Sequence, residues 1–386
     1  MRIPNLSFNR PWTRPYAEGA YAPDAELQWW YFDAVLESGH RLLSFFLPRF
    51  LGAIEGSEPE SPMVDVVLRT PAGEILRERR FCRPCELVAS RDRVAAEFGA
   101  DCSVTFEGAG HATVPRGVRP RGGAGCSPSF GEEGSGPGRY LLRARAGRIG
   151  YELEISPELP PWAPIRGGRL PRAFMMLLSR SLTTRDSFHY VPFVPRGRLR
   201  GTITVDGRVL DARGTAYHEQ GRMNFPLPRF CPAWYWLHVE HPPWTLLSGT
   251  ALPPAGVPRP AKGTLGGIGF VQKADRCLMA AFDPSGILVR WPRIEPRNPA
   301  ARDGEESMAW NAGVRIRRPG LRVTMEIESS QVLEFVPFSY RDETPVKPYW
   351  GQTVALAKVE VVHGLKRDRF EAEAVLETMM TGARLR

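Results

Sequence analysis

The amino-acid sequence predicts an all-β protein built from two related antiparallel β-domains. Three observations lead to this prediction. Strand-like segments that alternate apolar and polar residues recur along the chain, tight turns separate several of them, and almost no segment has helical periodicity. A short aromatic passage also occurs twice, once near residue 30 and again near residue 235.

The repeated passage pairs an aromatic strand with a second apolar strand. In the first copy, residues 29–32 read Trp-Trp-Tyr-Phe and residues 42–45 read Leu-Leu-Ser-Phe. In the second copy, residues 234–237 read Trp-Tyr-Trp-Leu and residues 246–249 read Leu-Leu-Ser-Gly. Self-similarity at so long a period indicates duplication of a whole structural unit. We therefore predict domains over residues 1–222 and 223–386, with the functional site where the two meet.

The first predicted domain begins with an extended arm over residues 1–25. Gly and Pro enrichment predicts a long loop over 108–138. The stretch 157–196 is predicted to be irregular, because five prolines argue against regular structure in its first part. Within it, the apolar-basic segment 172–182 predicts a helix that caps a barrel mouth, with contact to a lipid surface as the alternative. Strands are predicted over 27–36, 40–48, 62–70, 74–81, 85–90, 93–98, 101–107 and 139–156.

Each half closes with a predicted hairpin. In the first, strands over 198–205 and 208–217 flank Asp206-Gly207, which is among the strongest short hairpin signals. In the second, strands over 354–362 and 370–377 flank His363-Gly364.

Composition limits the possible classes of protein. The 386 residues are 42% hydrophobic and 24% charged, which is typical of a soluble globular protein of two domains. No apolar run approaches the ~20 residues of a membrane span, and the first residues do not form a secretory signal. We therefore expect a cytoplasmic protein, with peripheral contact to the inner membrane face as an extension of that expectation.

The net charge of +9 comes mostly from single, scattered arginines. No nucleic-acid-binding module accompanies them, so we expect no nucleic-acid partner and at most a weak attraction to anionic membrane surfaces. The six cysteines include one Cys-x-x-Cys, Cys82 to Cys85, and are expected to be reduced thiols. The isolated histidines lack ligand spacing, so no metal site is predicted.

Two positions carry the candidate chemistry. At the end of a strand, residues 217–220 read Tyr-His-Glu-Gln, and alternation sends His218 and Gln220 to one face and Tyr217 and Glu219 to the other. Asp33 follows four consecutive bulky aromatic residues, so its carboxylate is expected to be partly desolvated. Polar residues satisfied by backbone or solvent at a strand end are the alternative for both positions.

These strings together resemble one family. Residues 28–33, Gln-Trp-Trp-Tyr-Phe-Asp, are similar to the Glu-Trp-Trp-Tyr-Phe-Asp opening of the hydroxyneurosporene synthase (carotenoid 1,2-hydratase) and AttH-like proteins. His189-Tyr190, the hairpin 197–207 and residues 214–219 resemble the segment that leads into that family's Tyr-His-Asp-His-Asn-Trp-Gly motif. The resemblance implies two lipocalin-like (calycin) β-barrels.

This chain departs from the family motif after Tyr217-His218. Glu219 replaces Asp, Gln220 replaces the second His, and Gly221 and Arg222 stand where the family has Asn and Trp. Proteins that share the double-barrel plan include tocopherol cyclase and lipocalin-like Diels–Alderases. The resemblance therefore implies the fold more directly than the reaction.

Our first functional hypothesis is an enzyme without a cofactor that acts on a long apolar polyene, prenyl or polyketide chain. Asp33 and Glu219 are the candidate acids that protonate a C=C bond before water addition or cyclisation, and His218 orients the acid or water. The alternatives are a purely pericyclic cyclisation and a carrier that binds a lipid or pigment without chemistry. The expected ligand-binding residues are Trp29, Trp30, Tyr31, Tyr217, Gln220, Trp234 and Trp236.

Overall fold

The computed structural model describes residues 20–50, 53–54, 57–58, 60–108, 138–159, 161, 188–224, 233–251, 264–290, 311–339 and 349–380. These residues belong to two compact units, an N-terminal unit up to residue 224 and a C-terminal unit from residue 233. The predicted arm, long loop and apolar-basic helix lie almost entirely outside the described residues.

Twelve strands and one 3₁₀ turn, Pro84–Glu86, are described in the N-terminal unit. Eleven of the strands form one antiparallel sheet in the order β5-β4-β2-β1-β12-β11-β10-β9-β8-β7-β6. The strands are β1 (Leu27–Leu36), β2 (Arg41–Phe50), β3 (Ala53–Ile54), β4 (Met63–Arg69), β5 (Ile75–Phe81), β6 (Leu87–Ala89), β7 (Ala95–Phe98), β8 (Cys102–Glu107), β9 (Arg139–Ala146), β10 (Ile149–Pro157), β11 (Phe188–Val205) and β12 (Arg208–Met223).

This sheet curls so that its ends approach each other. From β5, Arg80 Nη1 donates to Asp101 Oδ2 at 2.8 Å and to the carbonyl oxygen of Arg145 on β9 at 3.3 Å. The concave face encloses a core to which β1 contributes Trp30, Phe32 and every second residue after them. Almost every residue of β1 is buried, on both faces of the strand. A strand buried on both faces needs a continuous apolar run, which explains the aromatic passage in the sequence.

The C-terminal unit repeats this plan with its own core. Its strands follow the order β17-β16-β15-β14-β13-β20-β19-β18, and β17 also pairs with β18, which closes the sheet on itself. The strands are β13 (Ala233–His241), β14 (Trp244–Ala251), β15 (Thr264–Lys273), β16 (Arg276–Arg290), β17 (Asn311–Arg318), β18 (Leu321–Ser339), β19 (Tyr349–His363) and β20 (Lys366–Met380).

Both units bring their first strand against their last hairpin. In the N-terminal unit β1 pairs with β2 and with β12, and in the C-terminal unit β13 pairs with β14 and with β20. The two copies of the aromatic passage therefore occupy equivalent central strands. The predicted all-β class with two antiparallel β-domains is confirmed.

The predicted turns and strand ends can be compared with the structure. Asp206 and Gly207 have φ values of 49° and 79°, as a type I′ hairpin turn requires. The predicted strand over 85–90 is instead a 3₁₀ turn followed by β6, and Glu86 caps that turn by accepting the Arg83 backbone N–H at 2.8 Å. The strands predicted within 139–156 are β9 and β10, which turn at Gly147 with a φ of 50°. The stretch predicted to be irregular up to residue 196 is a strand from Phe188 onward, because β11 continues the pairing with β12 past its prolines. Within the described part of the chain, no helix has the length and apolar character needed to span a membrane.

Trp30 provides a test of the N-terminal core. Its side chain is fully buried and lies edge-on to Phe98, with 6.5 Å between ring centroids. Trp30→Ala should lower the free energy of unfolding by about 3–5 kcal/mol, because it leaves a large cavity. Urea unfolding followed by circular dichroism measures this change. The control Val209→Ala, at a position 67% exposed, should have little effect; an equal loss for both variants would contradict the assigned core.

Candidate functional site

Glu219 is the centre of a buried hydrogen-bonded cluster in the N-terminal unit. Trp29 Nε1 donates to Glu219 Oε1 at 3.1 Å, and Tyr217 Oη donates to Oε2 at 2.6 Å. Tyr190 Oη also donates to Oε2 and lies 3.2 Å from Tyr217 Oη. We call these four residues the Glu219 cluster; each is at most 7% exposed.

Three adjacent strands place these side chains together. Glu219 on β12 lies opposite Tyr31 on β1, and Trp29 lies opposite Gly221. Tyr190 on β11 also lies opposite Gly221, from the other side of β12. Because side chains two residues apart share a face of a strand, all of them point to the face opposite the core. Gly221 makes room for the indole, since a Cβ there would lie 2.0 Å from Trp29 Cζ2.

Tyr217 is a neutral donor within the cluster. Burial and the neighbouring Glu219 carboxylate raise the pKa of Tyr217 well above its ordinary value, so this phenol keeps its proton at physiological pH. Trp29, Tyr190 and Tyr217 together direct three donors at the two carboxyl oxygens of Glu219, which gives a negative charge on this group direct hydrogen-bonded support.

Asp33 lies on the same face of the N-terminal sheet as Glu219 and is also buried, but it has a different partner. The Arg41 guanidinium donates Nε to Oδ1 at 3.0 Å and Nη2 to Oδ2 at 2.7 Å. Both side chains are at most 4% exposed. A bidentate guanidinium stabilises the charged carboxylate, so this geometry suits a structural ion pair rather than a proton donor.

His218 points into the core, on the opposite side of β12 from Glu219. Its Nδ1 lies 2.9 Å from the carbonyl oxygen of Tyr31, and its ring stacks on Phe32 with centroids 4.1 Å apart. Tyr140 contacts the ring edge-on at 4.5 Å. The structure therefore separates His218 from the acid that it was expected to orient.

The other predicted ligand-binding residues fall into three groups. Tyr217, Trp29 and Tyr31 lie on the face of the Glu219 cluster, where the Tyr31 and Tyr217 rings are 6.3 Å apart. Trp30 is part of the core, and Gln220 is fully buried on the core side, where its amide has no hydrogen-bond partner among the described residues. Trp234 and Trp236 belong to the C-terminal unit.

A second glutamate cluster, not predicted from the sequence, lies in the C-terminal unit. Trp234 Nε1 donates to Glu377 Oε1 at 2.9 Å, and Gln352 Nε2 donates to Oε2 at 3.0 Å. Trp350 supplies a further side-chain hydrogen bond, and burial raises the pKa of Glu377 above its ordinary value despite these donors. We call Trp234, Trp350, Gln352 and Glu377 the Glu377 cluster.

The two clusters occupy equivalent positions of the duplicated fold. Trp234 lies opposite Met379, two residues beyond Glu377, as Trp29 lies opposite Gly221, two residues beyond Glu219. In the same register, Trp350 corresponds to Tyr190 and Gln352 corresponds to Pro192. The signal for Glu377 was present in the sequence: extending the repeat from Trp29 and Trp234 to the closing hairpins aligns the two glutamates. Tyr190 carried no such signal, because its contact depends on the register of β11.

Metal ligands do not converge in the described residues, where no group of three or more His, Cys, Asp or Glu side chains is placed to hold an ion. Cys82, Cys85 and Cys102 are free thiols.

The fold defined by these two units is that of the AttH-like double-lipocalin proteins. No protein-family model matches the chain, and no curated protein matches it in sequence. Comparison with solved structures, in contrast, finds full-length similarity at low sequence identity.

Three such structures illustrate the fold. AttH from Nitrosomonas europaea has a TM-score of 0.59 at 12% identity, and the match covers 99% of each chain. CghA in complex with Sch210972 has a TM-score of 0.57 at 9% identity, over 98% of each chain. Kievitone hydratase from Nectria haematococca has a TM-score of 0.52 at 11% identity, over 96% of this chain and 94% of that one.

Gly221 provides a test of how the Glu219 cluster is built. Gly221→Ala should push the Trp29 indole away from Glu219 and lower the free energy of unfolding by about 1–3 kcal/mol, the usual range for overpacking. The indole N–H resonance of Trp29, assigned with a Trp29→Phe variant, should shift. Gly150→Ala is the control, because a Cβ there meets its nearest atom at 3.6 Å. An unchanged indole resonance in Gly221→Ala would refute this arrangement.

The Asp33–Arg41 pair can be tested separately. Arg41→Met should cost about 3–5 kcal/mol of unfolding free energy, since it leaves a buried carboxylate uncompensated. Adding Asp33→Asn should recover part of that loss in urea unfolding. The control is Arg213→Met, which breaks an exposed pair with Asp211 and should change stability little. A loss no greater than that of the control would mean that the pair does not stabilise the fold.

Proposed function

We propose that the protein is an enzyme that protonates a C=C bond of a long apolar polyene or isoprenoid, with water addition as the following step. The observation that carries this proposal is the Glu219 carboxyl group, which is 6% exposed and bonded by one indole and two phenols. The similarity in fold to a protein named as a hydratase supports the reaction class.

Glu219 is assigned as the acid. In its protonated form it transfers the proton to one alkene carbon, which leaves a tertiary cation on the neighbouring carbon and a carboxylate on Glu219. The donors Trp29, Tyr190 and Tyr217 stabilise the new carboxylate. Water then adds to the cation, and the proton that it loses restores the Glu219 acid.

Aromatic faces stabilise the cation in this scheme. Trp29 and Tyr31 lie on the same face as Glu219, and Phe45 contacts Tyr31 with ring centroids 6.2 Å apart. The negative faces of such rings attract positive charge, most strongly where water is scarce. Asp33, held by Arg41, and His218, turned into the core, are assigned structural roles in this proposal.

Cyclisation is the second candidate, because the resemblance in sequence implies a fold shared with tocopherol cyclase and lipocalin-like Diels–Alderases, and the structure is similar in fold to CghA. In that reaction an internal nucleophile or alkene of the substrate captures the cation, and no water is added. An acyclic carotene and a prenylated quinone precursor represent the two substrate types. Both are apolar chains with trisubstituted double bonds.

The test is incubation of the purified protein with each substrate in water labelled with heavy oxygen. Label in an alcohol product supports hydration, and an isomeric product without label supports cyclisation. Recovery of both substrates unchanged, together with a co-purified ligand, would overturn the enzyme proposal in favour of a carrier.

Glu219→Gln should lower turnover by about 10²-fold or more, the range for loss of a general acid. The amide keeps the size of the side chain and its ability to accept hydrogen bonds, so ligand binding should persist. Glu152→Gln, at an exposed position of β10, is the matched control and should retain the wild-type rate. Full turnover in Glu219→Gln would remove Glu219 from the mechanism.

A further inference from the structure

We propose that the Glu377 cluster is a second ligand-binding site, which recognises a hydroxyl group on an otherwise apolar molecule. This proposal goes beyond the Glu219 chemistry and does not depend on it. It concerns binding by the C-terminal unit alone.

Two side chains of the Glu377 cluster reach the surface, although Trp350 and Gln352 are buried. Glu377 and Trp234 are both partly exposed, whereas Glu219 and Trp29 are buried. Trp236, on the same face of β13 as Trp234, adds a third indole close to the cluster. A small polar group surrounded by indole rings is the usual composition of a site for a mostly apolar ligand.

Gln352 provides a hydrogen-bond acceptor that is not used within the described residues. Its Nε2 donates to Glu377, but its Oε1 has no hydrogen-bond partner among the described residues, although the side chain is fully buried. A buried amide oxygen without a donor carries an energetic cost that a ligand O–H would remove. Proline at the equivalent position of the N-terminal unit, Pro192, cannot offer this acceptor.

Glu377 completes the recognition of a hydroxyl group. Three N–H donors surround its carboxyl group, and burial raises its pKa, so the neutral acid is favoured relative to an exposed glutamate. A neutral carboxyl group donates to an oxygen atom, while Gln352 Oε1 accepts from an O–H. One hydroxyl group meets both requirements, and a hydrocarbon meets neither.

The experiment compares binding of geranylgeraniol with binding of the hydrocarbon that has hydrogen in place of the hydroxyl group. Equilibrium dialysis of the full-length protein with radiolabelled compounds gives both affinities. The wild type should bind the alcohol about tenfold more tightly, the effect of one well-made buried hydrogen bond. Gln352→Leu and Glu377→Met, which remove the acceptor and the donor respectively, should each reduce this preference toward unity with little change in hydrocarbon binding.

Two control variants locate the effect. Glu373→Gln changes an exposed glutamate on the same strand and should keep the tenfold preference. Glu219→Gln should also keep the preference for the alcohol, because the Glu377 cluster is intact in this variant.

Equal affinities for alcohol and hydrocarbon in the wild type would overturn the proposal. So would a preference that is lost in Glu219→Gln but kept in Glu377→Met. Tighter binding of the corresponding primary amine would also overturn it, because it would indicate recognition of charge. Absence of product in the heavy-oxygen assay would refute only the proposed reaction.

Discussion

The antiparallel pairing of β1 with β12 is the constraint on which the N-terminal unit depends. This pairing joins the first strand to the last hairpin and so forms the centre of the sheet. Trp30 and Phe32 extend from β1 into the core that the sheet encloses. The same register sets Trp29 over Gly221 and beside Glu219. A shift of one residue would send the indole into the core and Trp30 to the opposite face. Core packing and site geometry are thus fixed by one ladder of backbone hydrogen bonds.

Local patterns in the sequence were sufficient to predict most of the strands, the Asp206-Gly207 turn and the duplication, because these depend on alternation and on backbone preferences. They failed at residues 85–90 and 188–196, where prolines and neighbouring strands decide the structure. Alternation also separated Glu219 from His218. It could not identify Arg41 as the partner of Asp33, because that contact depends on the pairing of β1 with β2. Tyr190 was missed for the same reason. Pairwise contacts between distant strands decide the chemistry of each carboxylate, and a single sequence does not display them.

The duplication preserved one arrangement and varied the groups around it. Both units retain a glutamate bonded to the indole of their first strand. Around that shared pair, Tyr190 is replaced by Trp350, and Asp33 by His238 at the equivalent register. The N-terminal glutamate is thereby surrounded mainly by phenol O–H donors, and the C-terminal glutamate by indole and amide N–H donors.

Long sequence separation within each cluster has a consequence for biosynthesis. Trp29 and Glu219 are 190 residues apart, and Trp234 and Glu377 are 143 apart. Contacts of such range form late, after the loops between them have closed. During translation the aromatic face of β1 exists long before β12 emerges to cover it. The nascent chain therefore exposes the aromatic, aggregation-prone strand β1 until β12 has been synthesised. Chaperone protection would be needed most during that time.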